Sequence, residues 1–199
     1  MIVVEEDCPQ TVAPRVDRQT IEDILAKPRF TIGEVCKASD VSAETVRSWF
    51  KRDIISLSDE ERLGHDPEAK GLGRMLTGYT AMAVAIMARL TIVRHRARQT
   101  GGYNLDAAKD AAYTFVFAGS EDRMPCHLFR DGITAMLIAK DGRYPMARIV
   151  NLGDAGQESW EQLRKAAGAT AQFEILLLDE LWQTVFQRLG IRAELERAG

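Results

Sequence analysis

The sequence predicts an α+β fold, helical in its first half and built around a small sheet in its second. Three observations predict it. Residues 30–50 carry apolar side chains at helical spacing in two short runs, with a polar break between them. Residues 80–98 are Ala- and Met-rich without Gly or Pro, and Thr100-Gly101-Gly102 closes them. Beyond that stop, apolar runs at 133–139 and 146–152 flank Lys140-Asp141-Gly142-Arg143, a hairpin turn signal. The punctuation divides the chain into a tail and short helix at 1–29, a unit at 30–100, and a C-terminal α/β unit at 103–199.

A chain of 199 residues can bury one good core or two small ones. Its 46% apolar and 28% charged residues match an ordinary globular protein, not a disordered or membrane one. The first residues lack the basic start and apolar run of a signal peptide. Residues 82–93 come nearest to a membrane span, but they fall short of about 20 apolar residues and Arg89 interrupts them. A buried or half-buried helix is expected there. Cys8, Cys36 and Cys126 are scattered and form no zinc spacing, which points to a reducing, cytoplasmic setting.

The elements follow in order. Residues 1–16 read as a loose tail. Residues 17–26 place Ile21, Ile24 and Leu25 at helical spacing, and Pro28 stops that helix. Thr31 and Glu34 have capping-box spacing and open a helix that buries Ile32, Val35 and Cys36. Ser39-Asp40 makes the turn, with Val41 as an apolar plug. Ser42 caps the next helix and Glu44 suits its first turn. Val46, Trp49 and Phe50 form its inward stripe, so Thr45, Arg47, Ser48, Lys51 and Arg52 are left on flanking or outer faces. Residues 54–57 read as a strand paired with 72–76, a wing after the helix. A short helix at 105–112 precedes strand-like residues 113–118. Residues 159–167 read as a helix, and 173–178 as a buried strand or, alternatively, as the start of a helix continuing into Leu181. Residues 181–189 read as a final amphipathic helix stopped by Gly190. Its face of Leu181, Val185, Phe186 and Leu189 needs a partner, either its own sheet or, as preferred here, a second subunit.

The run FTIGEVCKASDVSAETVRSWFKR, followed later by Gly73-Arg74-Met75-Leu76-Thr77-Gly78-Tyr79, resembles the DNA-binding domain of the MerR family and its phage-type relatives. That domain opens with a pattern like YTIGELAKATGVSVRTLRYYE. The resemblance covers about a third of the chain, from residue 30 to about 98. It implies a winged helix-turn-helix that binds double-stranded DNA as a homodimer. Ser42, Ala43, Glu44 and Thr45 would face base edges or nearby phosphates, with Ser48 on the same helix. Arg47 matches the arginine of the TLRYY-like run and would contact backbone or base. Arg74 matches the wing arginine, a phosphate contact, and Trp49 and Phe50 match the aromatics that pack against the wing. Lys51 and Arg52 add charge beside them. Asp40 stands where the family has a turn glycine, and Asp tolerates the left-handed conformation better than most residues. The family's coiled-coil dimerisation helix and its metal-binding cysteines have no counterpart here.

The implied roles fit the chemistry: cations neutralise phosphates, and short polar side chains let a helix approach base edges. The net charge of −3 requires any basic surface to be local. Residues 31–100 carry 11 Lys and Arg against 9 Asp and Glu, whereas residues 101–199 carry 11 against 14. The acidic residues Asp59, Glu60, Glu61, Asp66 and Glu68 are expected in a wing loop directed away from DNA. The basic run at 94–98 suits a solvated helix end. Cys126-His127 has no supporting third ligand, and His65 and His95 read as exposed. No nucleotide, protease or hydrolase motif is present, so no catalytic residue, cofactor or metal is expected. The sequence reading is therefore a DNA-binding transcriptional regulator, not an enzyme, whose C-terminal unit dimerises, senses a signal or engages a protein partner. Alternatives are a phage-type architectural factor, like an excisionase or small terminase subunit, and a protein-interaction module without DNA binding.

Overall fold

The computed structural model describes residues 17–63, 74–91, 103–139, 147–153 and 173–198. Helix α1 (Arg18–Ala26) opens under Asp17, whose carboxylate accepts from the Thr20 N–H at 3.0 Å. Strand β1 (Phe30–Thr31) leads into α2 (Ile32–Ser39), and α3 (Ala43–Lys51) follows after a short turn. Next come α4 (Asp59–Leu63), β2 (Met75–Leu76), α5 (Gly78–Thr91) and α6 (Leu105–Phe117). The C-terminal part holds β3 (Thr134–Ala139), β4 (Ala147–Asn151), β5 (Phe173–Leu177), α7 (Leu178–Arg188) and α8 (Ile191–Ala198). The architecture is mixed helix and sheet, as the sequence predicts. Among the described residues the strands form two small antiparallel sheets, β1-β2 and β4-β3-β5.

Helix α5 is the axis of the molecule. Nearly every residue from Ala81 to Leu90 is buried and only Arg89 is exposed, the pattern of a helix surrounded on all sides. Helices α1, α2, α6 and α7 all pack on it. Its first residue, Gly78, leaves no room for a side chain: a Cβ there would sit 2.9 Å from Leu25 Cδ2 and 3.3 Å from the Leu25 carbonyl oxygen. The Gly-Tyr pair quoted above thus has a packing reason in this chain, the close approach of α1. The core is continuous from Ile21 in α1 to Leu195 in α8. The sequence-predicted boundary at 101–102 lies outside the described residues, as do the tail, the 94–98 basic run, the hairpin turn at 140–143 and the helix expected at 159–167.

Several expectations are corrected. Residues 54–57 are not a strand, and β2 pairs with β1, in the register Phe30 to Leu76 and Thr31 to Met75. The cause is local. Asp53 adopts a left-handed φ of 52°, and the Ile54 N–H turns back to the Trp49 carbonyl at 2.9 Å. The Ser56 N–H, which a strand neighbour would have taken, donates to the Tyr113 hydroxyl at 2.9 Å. Ile54, Ile55 and Leu57 then sink into the core as a loop. Glu61 does not point away on a wing tip. It is buried in α4, where it accepts from the Ser58 N–H at 2.9 Å and the Thr77 N–H at 2.8 Å.

Residues 113–117 continue α6 instead of forming a strand. Asn104 caps the helix, and Ala107, Ala108, Ala111, Ala112, Phe115 and Val116 make one helical stripe that outweighs the local β preference of Tyr113 to Val116. Strand β5 forms, but Glu174, Ile175 and Leu177 are exposed, so it is not a buried strand. Helix α7 needs no second subunit to cover its apolar face. Leu181, Val185 and Phe186 are buried within the chain, where α7 packs on α2, α5 and β3. Gly190 stops α7 at a φ of 74°, as expected, but α8 follows it.

Candidate nucleic-acid interface

Helices α2 and α3 are fixed by caps that the sequence spells out. Thr31 and Glu34 form the complete box: the Thr31 N–H donates to Glu34 Oε2 at 2.8 Å, and the Glu34 N–H donates to Thr31 Oγ1 at 3.2 Å. The backbone bond from Thr31 is the chief reason that the Glu34 carboxyl is held below the usual range. Asp40 ends α2 with a left-handed φ of 53°, and the Val41 N–H donates to the Cys36 carbonyl at 3.1 Å. Ser42 Oγ accepts from the Thr45 N–H at 3.1 Å and lies 2.8 Å from Thr45 Oγ1. The two hydroxyls expected at base edges therefore already engage each other as the cap of α3.

Helix α3 divides cleanly. Val46, Trp49 and Phe50 are buried, 0 to 9% exposed, while Glu44, Arg47, Ser48, Lys51 and Arg52 face solvent. Ala43 and Thr45 are half-buried at the helix start. Positions 44, 47, 48 and 51 recur at the helical spacing, so the exposed side chains share one stripe. Arg47, Lys51 and Arg52 form no ion pair among the described residues. Their charge is uncommitted. Arg47 is near enough to favour the Cys36 thiolate electrostatically, but burial dominates and raises that thiol. Arg74 is exposed in a different element, ahead of β2. The register of β2 on β1 sets it beyond Thr31, at the entry to α2.

Two contacts on this unit carry no sequence signal. The Arg188 guanidinium, on α7, bonds the end of α2 at Asp40. Arg29, just before β1, donates to both carboxylate oxygens of Glu194 in α8 at 2.7 and 2.8 Å. Each pair is separated by more than a hundred residues, so no local pattern announces it.

The Cys126-His127 pair packs against Trp182 in the core. Cys126 is fully buried, and burial raises its thiol far above the ordinary value, so it has no reactive thiolate. The Trp182 Nε1–H donates to the Cys126 carbonyl at 2.9 Å, and the His127 ring meets Trp182 edge-on at 5.4 Å. Arg123, 5% exposed, knits this corner by donating to the carbonyls of Phe115, Ala118, Met124 and His127. Among the described residues no cluster of His, Cys, Asp and Glu could hold a metal ion. An open depression of about 380 Å³ near Phe129 and Arg130 is lined by Asp122, Asp131 and Asn151. Asn151 is already spent on the Asp131 carbonyl and the Gly153 N–H.

Burial, then the nearby Arg123 charge, lowers the His127 pKa from its ordinary 6.5. The unfolded chain binds this proton near pH 6.5 while the folded chain still refuses it. The stability that neutral His127 contributes is thus complete above pH 6.5 and is lost as pH falls through the folded value. The melting temperature is expected to drop on acidification below pH 6.5, and less steeply in His127→Phe, which keeps a ring against Trp182. Equal slopes by differential scanning calorimetry would remove His127 from this role.

Comparison with protein-family models, with curated proteins and with solved structures finds no match. The fold is α+β, with α2 and α3 joined by a short turn and with Arg47, Lys51 and Arg52 exposed on α3 without an ion pair among the described residues. The MerR-like resemblance rests on the residues that carry it.

Proposed function

We propose that this protein is a sequence-specific DNA-binding transcriptional regulator that inserts α3 into the major groove. One observation carries the reading. The buried stripe of Val46, Trp49 and Phe50 turns Arg47, Ser48, Lys51 and Arg52 outward together, and the three cations have no ion-pair partner among the described residues. A rigid helix bearing free cations beside short polar side chains suits phosphate clamping and groove contact. The reading involves binding without chemistry, no cofactor, and a cytoplasmic setting. One α3 offers few contacts, so a homodimer on two half-sites belongs to the proposal. No helix among the described residues is long and apolar enough to cross a membrane.

Selection of duplexes from a random-sequence pool, with affinity followed across a salt gradient, tests the proposal. Enrichment of a defined motif and an affinity that falls as salt rises are expected. A pool that returns unenriched, with no salt-dependent retention, would instead support a protein-interaction module.

A further inference from the structure

We infer that Arg188, on the last turn of α7, is a positioning residue for α3: it fixes the turn from which α3 projects, and so sets how that helix meets DNA. The inference rests on the reading of α3 as the DNA-contacting helix. One nitrogen of the guanidinium, Nη1, donates to the carbonyls of Lys37 and Ala38 at 3.2 Å each and to Asp40 Oδ1 at 3.0 Å. The last carbonyls of a helix lack partners within it, and a cation at that end also meets the negative pole of the helix dipole. Arg188 supplies both to α2.

An isolated ion pair this exposed contributes little to stability. The geometry gives Arg188 a different task. Ser42 caps α3 only two positions after Asp40, so the clamp grips the pivot of a lever about 13 Å long at ~1.5 Å per residue. A tilt of about 10° at that pivot would carry the far end of α3 roughly 2 Å, enough to misplace groove contacts. The other end of the clamp is firmly held. Asp179, at the start of α7, accepts from the Thr134 N–H of β3 at 2.6 Å, and Trp182 donates to the Cys126 carbonyl at 2.9 Å. Phe186 is completely buried. Helix α7 therefore joins the β4-β3-β5 sheet to the α2–α3 turn. A ligand or partner that shifts the C-terminal sheet would reach α3 by this route.

The test uses the full chain and the duplex that wild type enriches from a random-sequence pool. Arg188→Ala is expected to weaken binding roughly five- to tenfold, within the range of coupled contacts. The salt dependence should stay at the wild-type slope, because no phosphate contact is lost. Amide exchange at Val41, whose N–H closes the turn, should speed up in the free protein. Arg188→Lys should restore part of the affinity. Asp40→Asn keeps tolerance of the left-handed turn, and should weaken binding without adding to Arg188→Ala.

A salt slope lowered by about one in Arg188→Ala would make Arg188 a phosphate contact and overturn positioning. Unchanged affinity in Arg188→Ala, with Arg47→Ala weakened, would overturn the inference and leave the DNA reading standing. Failure of wild type to enrich any duplex would overturn both.

Discussion

Arg47→Ala is expected to reduce affinity for the selected duplex about tenfold, the equivalent of ~1.4 kcal/mol. Its side chain is exposed, forms no ion pair among the described residues, and lies at the centre of the outward stripe of α3. Removing it strands no buried partner, so the unfolding free energy should stay within about 0.5 kcal/mol of wild type. The loss should therefore appear in binding alone. If Arg47 contacts a phosphate, the slope of log affinity against log salt falls by about one, and every sequence weakens alike. If it reads a base, discrimination relaxes at one position of the motif instead. Arg74→Ala should produce the phosphate pattern. Fluorescence anisotropy over a salt series separates these outcomes, and unchanged affinity in both variants would remove these two arginines from the interface.

The small positive balance of the 31–100 region is not the quantity that matters for such binding. What matters is which charges are free. Arg188 is engaged with Asp40 and Arg29 with Glu194, while Arg47, Lys51 and Arg52 form no ion pair among the described residues. A field from three cations on one helix end is felt over roughly a Debye length, about 8 Å at physiological salt. That range suits close docking better than long-range steering. The cation stripe thus predicts an interface that depends on fit, which is why the angle of α3 is consequential.

The parts of this fold that were legible in the sequence are those fixed by near neighbours. Thr31 with Glu34 and Ser42 with Thr45 are caps three residues apart, and Asp40 bends at its own φ. Inward Val46, Trp49 and Phe50 follow from helical periodicity alone. The illegible parts were decided by distant partners. Residues 54–57 have the composition of a strand, but the Tyr113 hydroxyl, 57 residues on from Ser56, took the hydrogen bond a strand would need. Tyr113 to Val116 look extended locally, but the alanine stripe of α6 packs on α5 and holds them helical. The amphipathic face of α7 announced a partner without naming it, and the partner is the chain's own α5, α2 and β3.

A chain ended after Leu177, lacking α7 and α8, is expected not to fold, although it keeps all of residues 1–100. The deletion removes Leu178, Leu181, Trp182, Val185, Phe186, Ile191 and Leu195, each at most 7% exposed in the intact protein. At about 1.5–3 kcal/mol per buried large apolar side chain, their burial is worth roughly 10–20 kcal/mol before entropy is charged. The whole stability of a domain is about 5–15 kcal/mol, so the remainder cannot absorb the loss. The damage is also aimed at the packing around α2 and α3. It uncovers α5 on the α7 side, strips Ile191 from beside Gly78, and leaves Arg29 without Glu194. Trp49, 4% exposed, lies outside the deleted segment and, once Trp160 is replaced by Phe, is the one tryptophan left to report on the unit. Its emission should be red-shifted in the truncated chain without denaturant, with no cooperative urea transition and no enrichment of duplex DNA. A cooperative transition with Trp49 still shielded would instead mean that residues 30–100 stand as a domain of their own, and that α7 and α8 are an attachment to that unit and not part of its core.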